Sequence, residues 1–135
     1  LIDDYAHHPT EIRATLAAIA NIKFSRLIVV LQPHRYSRTK LLLQEFVKSF
    51  DLADYLIVTE IYPASELPIE GITSESLCEK IKAYNPKKKI AFMPKAQVKK
   101  HLLDSIRPGD LVLTLGAGDI VKVCDEMVEA LEGQG

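Results

Sequence analysis

The chain has very little cysteine. Cys78 and Cys124 are its only two among 135 residues. They are too few for a disulfide framework, and both lie in amphipathic helical patterns, so they read as packed thiols in a reducing cytosol. No surplus of charge of either sign exists: 17 Lys and Arg stand against 18 Asp and Glu, a net charge of −1. A duplex-binding domain carries a marked basic excess, so general nucleic-acid binding is disfavoured. No apolar run approaches the roughly 20 residues of a membrane span. The opening Leu1-Ile2-Asp3-Asp4 lacks the basic and apolar layout of a secretion signal. A G-x-S-x-G elbow, a C-x-x-C pair and a P-loop G-x-x-x-x-G-K-S/T are all missing. The chain therefore shows no nucleophile with its own phosphate cradle.

What is present is the composition of one folded domain, with 47% hydrophobic and 26% charged residues. Short β-rich runs recur at Leu27–Leu31, Tyr55–Val58, Ile90–Phe92 and Leu111–Leu115, and Leu1-Ile2 reads as the end of another strand. Runs that are apolar throughout suit strands covered on both faces, as in parallel sheets. Helical periods lie between them. Ile12, Leu16 and Ile19 share a face after Pro9, and Leu42, Phe46 and Phe50 stack after Ser37, a candidate N-cap. Thr73 or Ser74 caps a helix carrying Leu77, Ile81 and Tyr84, which Asn85-Pro86 ends. Val98 and Leu102 mark a shorter helix, and Asp119 caps a last one with Ile120, Val123, Met127 and Leu131 facing inward. The alternation predicts an α/β fold with a mostly parallel sheet, helices on both faces and right-handed crossovers. Ligands of such sheets bind in the loops after the carboxyl ends of the strands. Here those loops begin near Asp3, Gln32, Glu60, Met93 and Gly116.

Two loops concentrate chemistry. Asp3-Asp4-Tyr5-Ala6-His7-His8-Pro9-Thr10-Glu11 packs two carboxylates, a phenol and two imidazoles between strand and helix. It reads as a helix cap, as a metal site built on His7, His8 and His34, or as a polar site in which Asp4 accepts bonds from ligand hydroxyls and His7 orients a charged substrate. Gln32-Pro33-His34-Arg35-Tyr36-Ser37-Arg38-Thr39 opens a helix with two arginines three residues apart. The helix dipole disfavours cations at that end, so the pair suits a carboxylate or phosphate better than it suits structure alone. Exposed arginines that merely solvate a loop are the plainer alternative. Gly116-Ala117-Gly118-Asp119 is a fragment of a dinucleotide fingerprint that lacks its third glycine, and reads as a tight turn with Asp119 as cap. Lys87-Lys88-Lys89 and Lys99-Lys100 read as solvated charge. The loop Tyr62–Gly71 reads as surface structure from which Glu66 can enter a site.

The two loop motifs, followed by Gly116-Ala117-Gly118-Asp119-Ile120, resemble the C-terminal domain of the bacterial Mur ligases along essentially the whole chain. Pro33-His34-Arg35-Tyr36-Ser37-Arg38 resembles the alanine-adding branch more than the branch that recycles murein tripeptide. The resemblance implies a Rossmann-like three-layer domain. Residues 1–135 would be the third of three domains, and the UDP-binding domain and the central P-loop ATPase domain would lie outside this chain. It further implies a cytoplasmic enzyme of peptidoglycan precursor synthesis, an ATP-dependent ligase joining L-alanine to UDP-N-acetylmuramate through an acyl phosphate. Magnesium ligands are expected in the central domain. Asp4 would hold the ATP ribose, and Tyr5, His7, His34, Arg35 and Arg38 would form the L-alanine site; no catalytic base is assigned. The domain alone is expected to lack ligase activity. A stand-alone nucleotide or anion-binding module stays open as the alternative.

Overall fold

The computed structural model describes residues 1–134. Its elements run β1 (Ile2–Asp4), α1 (Pro9–Ile19), β2 (Arg26–Leu31), α2 (Tyr36–Leu41), α3 (Leu43–Val47), β3 (Tyr55–Val58), α4 (Ser74–Tyr84), β4 (Lys89–Phe92), α5 (Lys95–Ser105), β5 (Asp110–Leu115) and α6 (Val121–Gln134). The strands form one sheet in the order β1-β5-β2-β3-β4. All four pairings are parallel, so the expected sheet has no antiparallel edge.

Alternate residues of the inner strands enter two separate cores, as the period of two requires. Leu27, Val29, Leu31, Leu56 and Val58 pack with Ile12 and Leu16 of α1, Phe46 of α3 and Leu77 and Ile81 of α4. Ile28, Val30, Ile57 and Val112 pack on the other face with Val98 and Leu102 of α5 and Val123 and Met127 of α6. The chain steps in one direction through β2, β3 and β4, then returns to β5. Right-handed crossovers therefore put the earlier helices on one face and the last two on the other.

Two helices, α1 and α4, open on reciprocal side-chain caps. Nδ1 of His8 accepts from Thr10 N at 3.1 Å while Glu11 Oε1 accepts from His8 N at 3.1 Å. Thr73 and Ser76 exchange the same pair of bonds at the start of α4. The expected helix after Ser37 differs. It starts at Tyr36 with Arg35 as its capping residue, and breaks at Leu42 (φ −107°) into α2 and α3. The break still buries Phe46 and Phe50. Tyr84 and Leu131 lie at the solvent edge of their helices, 48% and 36% exposed, rather than inside.

Lys88 corrects the expectation of a solvated lysine run. It is buried, and its Nζ donates to the carbonyls of Phe50 and Ala53 at 2.7 and 2.6 Å. It brings a charged donor to two carbonyls just beyond α3, one of which, Phe50 O, also accepts from Ala53 N at 3.1 Å. At the amino edge of the sheet, Arg26 donates to both oxygens of Asp110, its parallel-register partner, at 2.6 and 3.2 Å. The guanidinium holds the Asp110 carboxyl below the usual carboxylate range. Cys124 is buried and Cys78 half-buried, both as free thiols.

Phe46 is the largest fully buried side chain between α3 and the sheet. Phe46→Ala is expected to lower the unfolding free energy by about 3–5 kcal/mol. Urea denaturation measures it, and a loss below about 1 kcal/mol would contradict this packing.

Candidate functional site

The direction of chain progression reverses on either side of β5. Its neighbours β1 and β2 are followed by helices on one face, whereas β5 is followed by α6 on the other. A crevice opens at the carboxyl end of such a switch, and it is where ligands of doubly wound sheets bind. Strands β1 and β2 are not neighbours, because β5 lies between them. Their loops meet nonetheless, over the short Gly116–Ile120 turn: the rings of His7 and His34 lie 5.3 Å apart.

The first loop is braced from within. Asp4 Oδ1 accepts from Ala6 N at 2.8 Å and Oδ2 accepts from Thr15 Oγ1 at 3.3 Å. A carboxylate has about four acceptor positions, so these bonds leave room for a hydroxyl donor. Tyr5 is 68% exposed and stands edge-on to His7, with centroids 5.5 Å apart. His7 Nδ1 lies 3.1 Å from the carbonyl oxygen of Tyr5. A carbonyl only accepts, so Nδ1 carries the hydrogen, and neutral His7 presents a lone pair at Nε2. His8 is used as the α1 cap, which accounts for it without a ligand. Among the described residues, no three His, Cys, Asp or Glu side chains group as a metal-binding set.

The second loop extends the β2–β3 pairing by one isolated bridge, His34 to Tyr62. Arg35 N donates to Tyr62 O at 2.8 Å, and Tyr62 N donates to Pro33 O at 2.8 Å. This pairing holds Arg35 at φ 72°, a left-handed conformation that a non-glycine residue rarely adopts. Glu66 arrives from the long β3–α4 loop and accepts from Ser37 N at 3.1 Å and from Ser37 Oγ. Those bonds hold its carboxyl below the usual range. Ser37 is thus a donor to a distant cap rather than the cap itself.

Arg38 Nη1 lies 2.9 Å from Nδ1 of His34. Guanidinium only donates, so His34 Nδ1 is an acceptor and its hydrogen sits on Nε2. In their neutral forms the two adjoining rings are therefore opposite tautomers. Burial lowers the His34 pKa, reinforced by the positive fields of Arg38 and Arg35, and of His7 whenever that ring is protonated, and opposed by Glu66. The His34 ring stacks on Tyr62 at 5.6 Å and 15°. Arg35, Arg38 and His8 line one open cleft of about 360 Å³ with Ser37, Leu41 and Leu42. Two guanidinium groups with free N–H donors beside a neutral imidazole suit a small carboxylate or a phosphoryl oxygen.

All six sequence-predicted residues lie at two adjoining strand ends: Asp4 closes β1 and is followed by Tyr5 and His7, while His34 and Arg35 follow β2 and Arg38 sits in the first turn of α2. Sequence reasoning missed Tyr62, Gln32 and Lys95. It also misplaced Asp119, whose side chain does not cap α6. Asp119 Oδ1 accepts from Gln32 Nε2 at 2.6 Å, and Oδ2 accepts from Lys95 Nζ. The one available signal for Gln32 was its place at the end of an otherwise apolar strand.

These features define a Rossmann-like α/β domain that gathers two arginines and two histidines at the carboxyl edge of its sheet. The family model described as Mur ligase, glutamate ligase domain, matches residues 1–118, and the chain belongs to that family of ligases. It is 56% identical over 133 residues to UDP-N-acetylmuramate–L-alanine ligase of Geotalea uraniireducens, covering 98% of this chain and 29% of that protein. The enzyme of the same name from Geotalea daltonii is 52% identical over 131 residues, covering 97% and 29%. Among solved structures, UDP-N-acetylmuramate-alanine ligase from Thermotoga maritima superposes with a TM-score of 0.75 at 28% identity, covering 98% of this chain and 26% of that one. The chain thus spans under a third of the length of these relatives.

Because the folded state lowers the pKa of His34 below the ordinary 6.5, the unfolded chain binds more protons just below neutrality. Stability is expected to fall as pH drops through that value towards the folded pKa, then to level off for this group. Gln in place of His34 can still accept from Arg38 and does not titrate. Unfolding midpoints measured between pH 7.5 and about pH 5 should fall less steeply for His34→Gln than for the parent; identical slopes would contradict the assigned state of His34.

Proposed function

We propose that this chain is the amino-acid-binding, ATP-site-closing domain of a UDP-N-acetylmuramate–L-alanine ligase, a cytoplasmic enzyme of peptidoglycan precursor synthesis. The observation that carries the proposal is the convergence of Tyr5, His7, His34, Arg35 and Arg38, from the segments after β1 and β2, in a chain 56% identical to an enzyme of that name. Pro33-His34-Arg35-Tyr36-Ser37-Arg38 favours this reading over a murein-tripeptide-recycling ligase.

In this reading the UDP-sugar site, the P-loop and the magnesium ligands belong to other domains of the protein. ATP supplies the phosphoryl group that activates the muramoyl carboxylate as an acyl phosphate. The residues described here act on what surrounds that step. Arg38, with Arg35 beside it, takes the carboxylate of L-alanine through charge-assisted bonds. His34 accepts from Arg38 and so holds its guanidinium towards the cleft. Tyr5 and His7 come from the facing loop, where His7 meets His34. Asp4 retains acceptor capacity for ribose hydroxyls on the adjoining loop. Docking of this domain over the nucleotide excludes water from the acyl phosphate while the neutral amine of alanine attacks it.

Arg38→Ala in the intact ligase is expected to raise KM for L-alanine about 10- to 100-fold, the worth of a lost bond to a charged group. The KM for UDP-N-acetylmuramate should stay within about twofold. Steady-state kinetics with each substrate varied makes the comparison. Equal effects on both substrates, or none, would remove Arg38 from the alanine site. In the same assay the purified 135-residue chain should release no alanine-dependent ADP.

A further inference from the structure

The Gly116–Asp119 turn and Gln32 have no part in the site as described above, yet they fill the crevice at the switch point. Gln32 is 4% exposed. Its Nε2 donates to Asp119 Oδ1 at 2.6 Å and its Oε1 accepts from Ile120 N at 3.1 Å. The amide thus ties the last residue before the Pro33-His34-Arg35 loop to the turn after β5. Lys95, at the start of α5, donates to the other oxygen of Asp119 and brings in the loop after β4. Gly118 presses on the same assembly: a Cβ there would lie 2.5 Å from Tyr62 Cγ and 2.7 Å from Gln32 Oε1. Tyr62 in turn stacks on His34, whose Nδ1 accepts from Arg38. A continuous train of contacts therefore runs from Asp119 to the guanidinium.

We infer that Gln32 and Asp119 are a positioning pair: by clasping the β2 and β5 loops together they set where His34 and Arg38 stand, and hence the affinity of the site for the amino-acid carboxylate. The inference rests on the functional reading above. Neither residue lines the cleft; both act through Tyr62 and His34.

The hydrogen-bond polarity makes the pair testable by exchange. Gln32→Glu sets a carboxylate against the Asp119 carboxylate. Asp119→Asn turns an NH₂ towards either Lys95 or the Gln32 NH₂, and Gln32 cannot flip without losing Ile120 N. The double exchange satisfies every partner: the carboxylate introduced by Gln32→Glu would accept from Ile120 N and from the new amide NH₂ at position 119, whose oxygen accepts from Lys95. In the intact ligase, each single variant is expected to raise KM for L-alanine about tenfold, the scale of one lost buried hydrogen bond. The KM for UDP-N-acetylmuramate should not move. The double variant should return KM for alanine to within about threefold of the parent. A merely structural role would lower the active fraction, and so kcat, without a selective rise in one KM.

The proposal is overturned if the single variants leave KM for alanine unchanged, or if the double variant is as impaired as Asp119→Asn. The comparison of Asp119→Asn with the double variant stands even if Gln32→Glu does not accumulate as folded protein. Arg38→Ala serves as the control: if it too leaves KM for alanine unchanged, the functional reading fails. If it raises KM while the pair has no effect, only the positioning role falls.

Discussion

Arginine donates hydrogen bonds and cannot accept them, so the 2.9 Å contact between Arg38 and Nδ1 of His34 leaves that nitrogen a single role. An imidazolium there would set a hydrogen against a cation. Much of the local structure serves to keep His34 neutral and in place. Burial and two nearby guanidinium groups lower its affinity for a proton. Tyr62 covers one face of its ring. The isolated bridge between His34 and Tyr62 fixes the backbone, and the same pairing forces Arg35 into a left-handed conformation. Such strain persists only where surrounding bonds over-determine it, and it is common beside binding sites.

The sheet order explains why a site exists at this edge. Placing β5 between β1 and β2 separates two polar loops by the width of one strand. A longer connection after β5 would fill that space with backbone. The Gly116–Ile120 turn instead stays low, and its glycines permit approaches to Gln32 and Tyr62 that a Cβ would block. The phenol, imidazoles and guanidinium groups can then gather above it. The cleft is open on its solvent side.

The layers were legible in the sequence because both faces of the sheet are covered, so Leu27–Leu31 and Leu111–Leu115 read as continuous apolar runs. The two site loops were legible because ligand-type residues cluster there beyond what capping needs. Less visible were interactions set by tertiary packing. Glu66 reaches Ser37 across 29 residues and Gln32 reaches Asp119 across 87, with no local pattern to mark either bond. The break at Leu42 and the burial of Lys88 share that origin. Lys88 sits in a run of three lysines that looks solvated, and only the path of the chain after Phe50 shows which carbonyls await it. Asp119 reads as a helix cap because Asp before an apolar helix usually is one. Here Lys95 and Gln32 offer it stronger partners. Burial raises its pKa, and those two bonds more than offset it, leaving the carboxyl below its usual range.

The most direct test of the site is the protonation state of its central ring. Nitrogen-15 chemical shifts of His34, read at neutral pH from uniformly labelled protein, distinguish a bare acceptor nitrogen from a protonated one. The structure requires an unprotonated Nδ1 and a protonated Nε2, with the Nδ1 signal displaced by the Arg38 hydrogen bond and altered in Arg38→Ala. A protonated Nδ1, whether as the other tautomer or as the imidazolium, would mean that Arg38 is not held by His34, and would contradict the proposed carboxylate-binding arrangement.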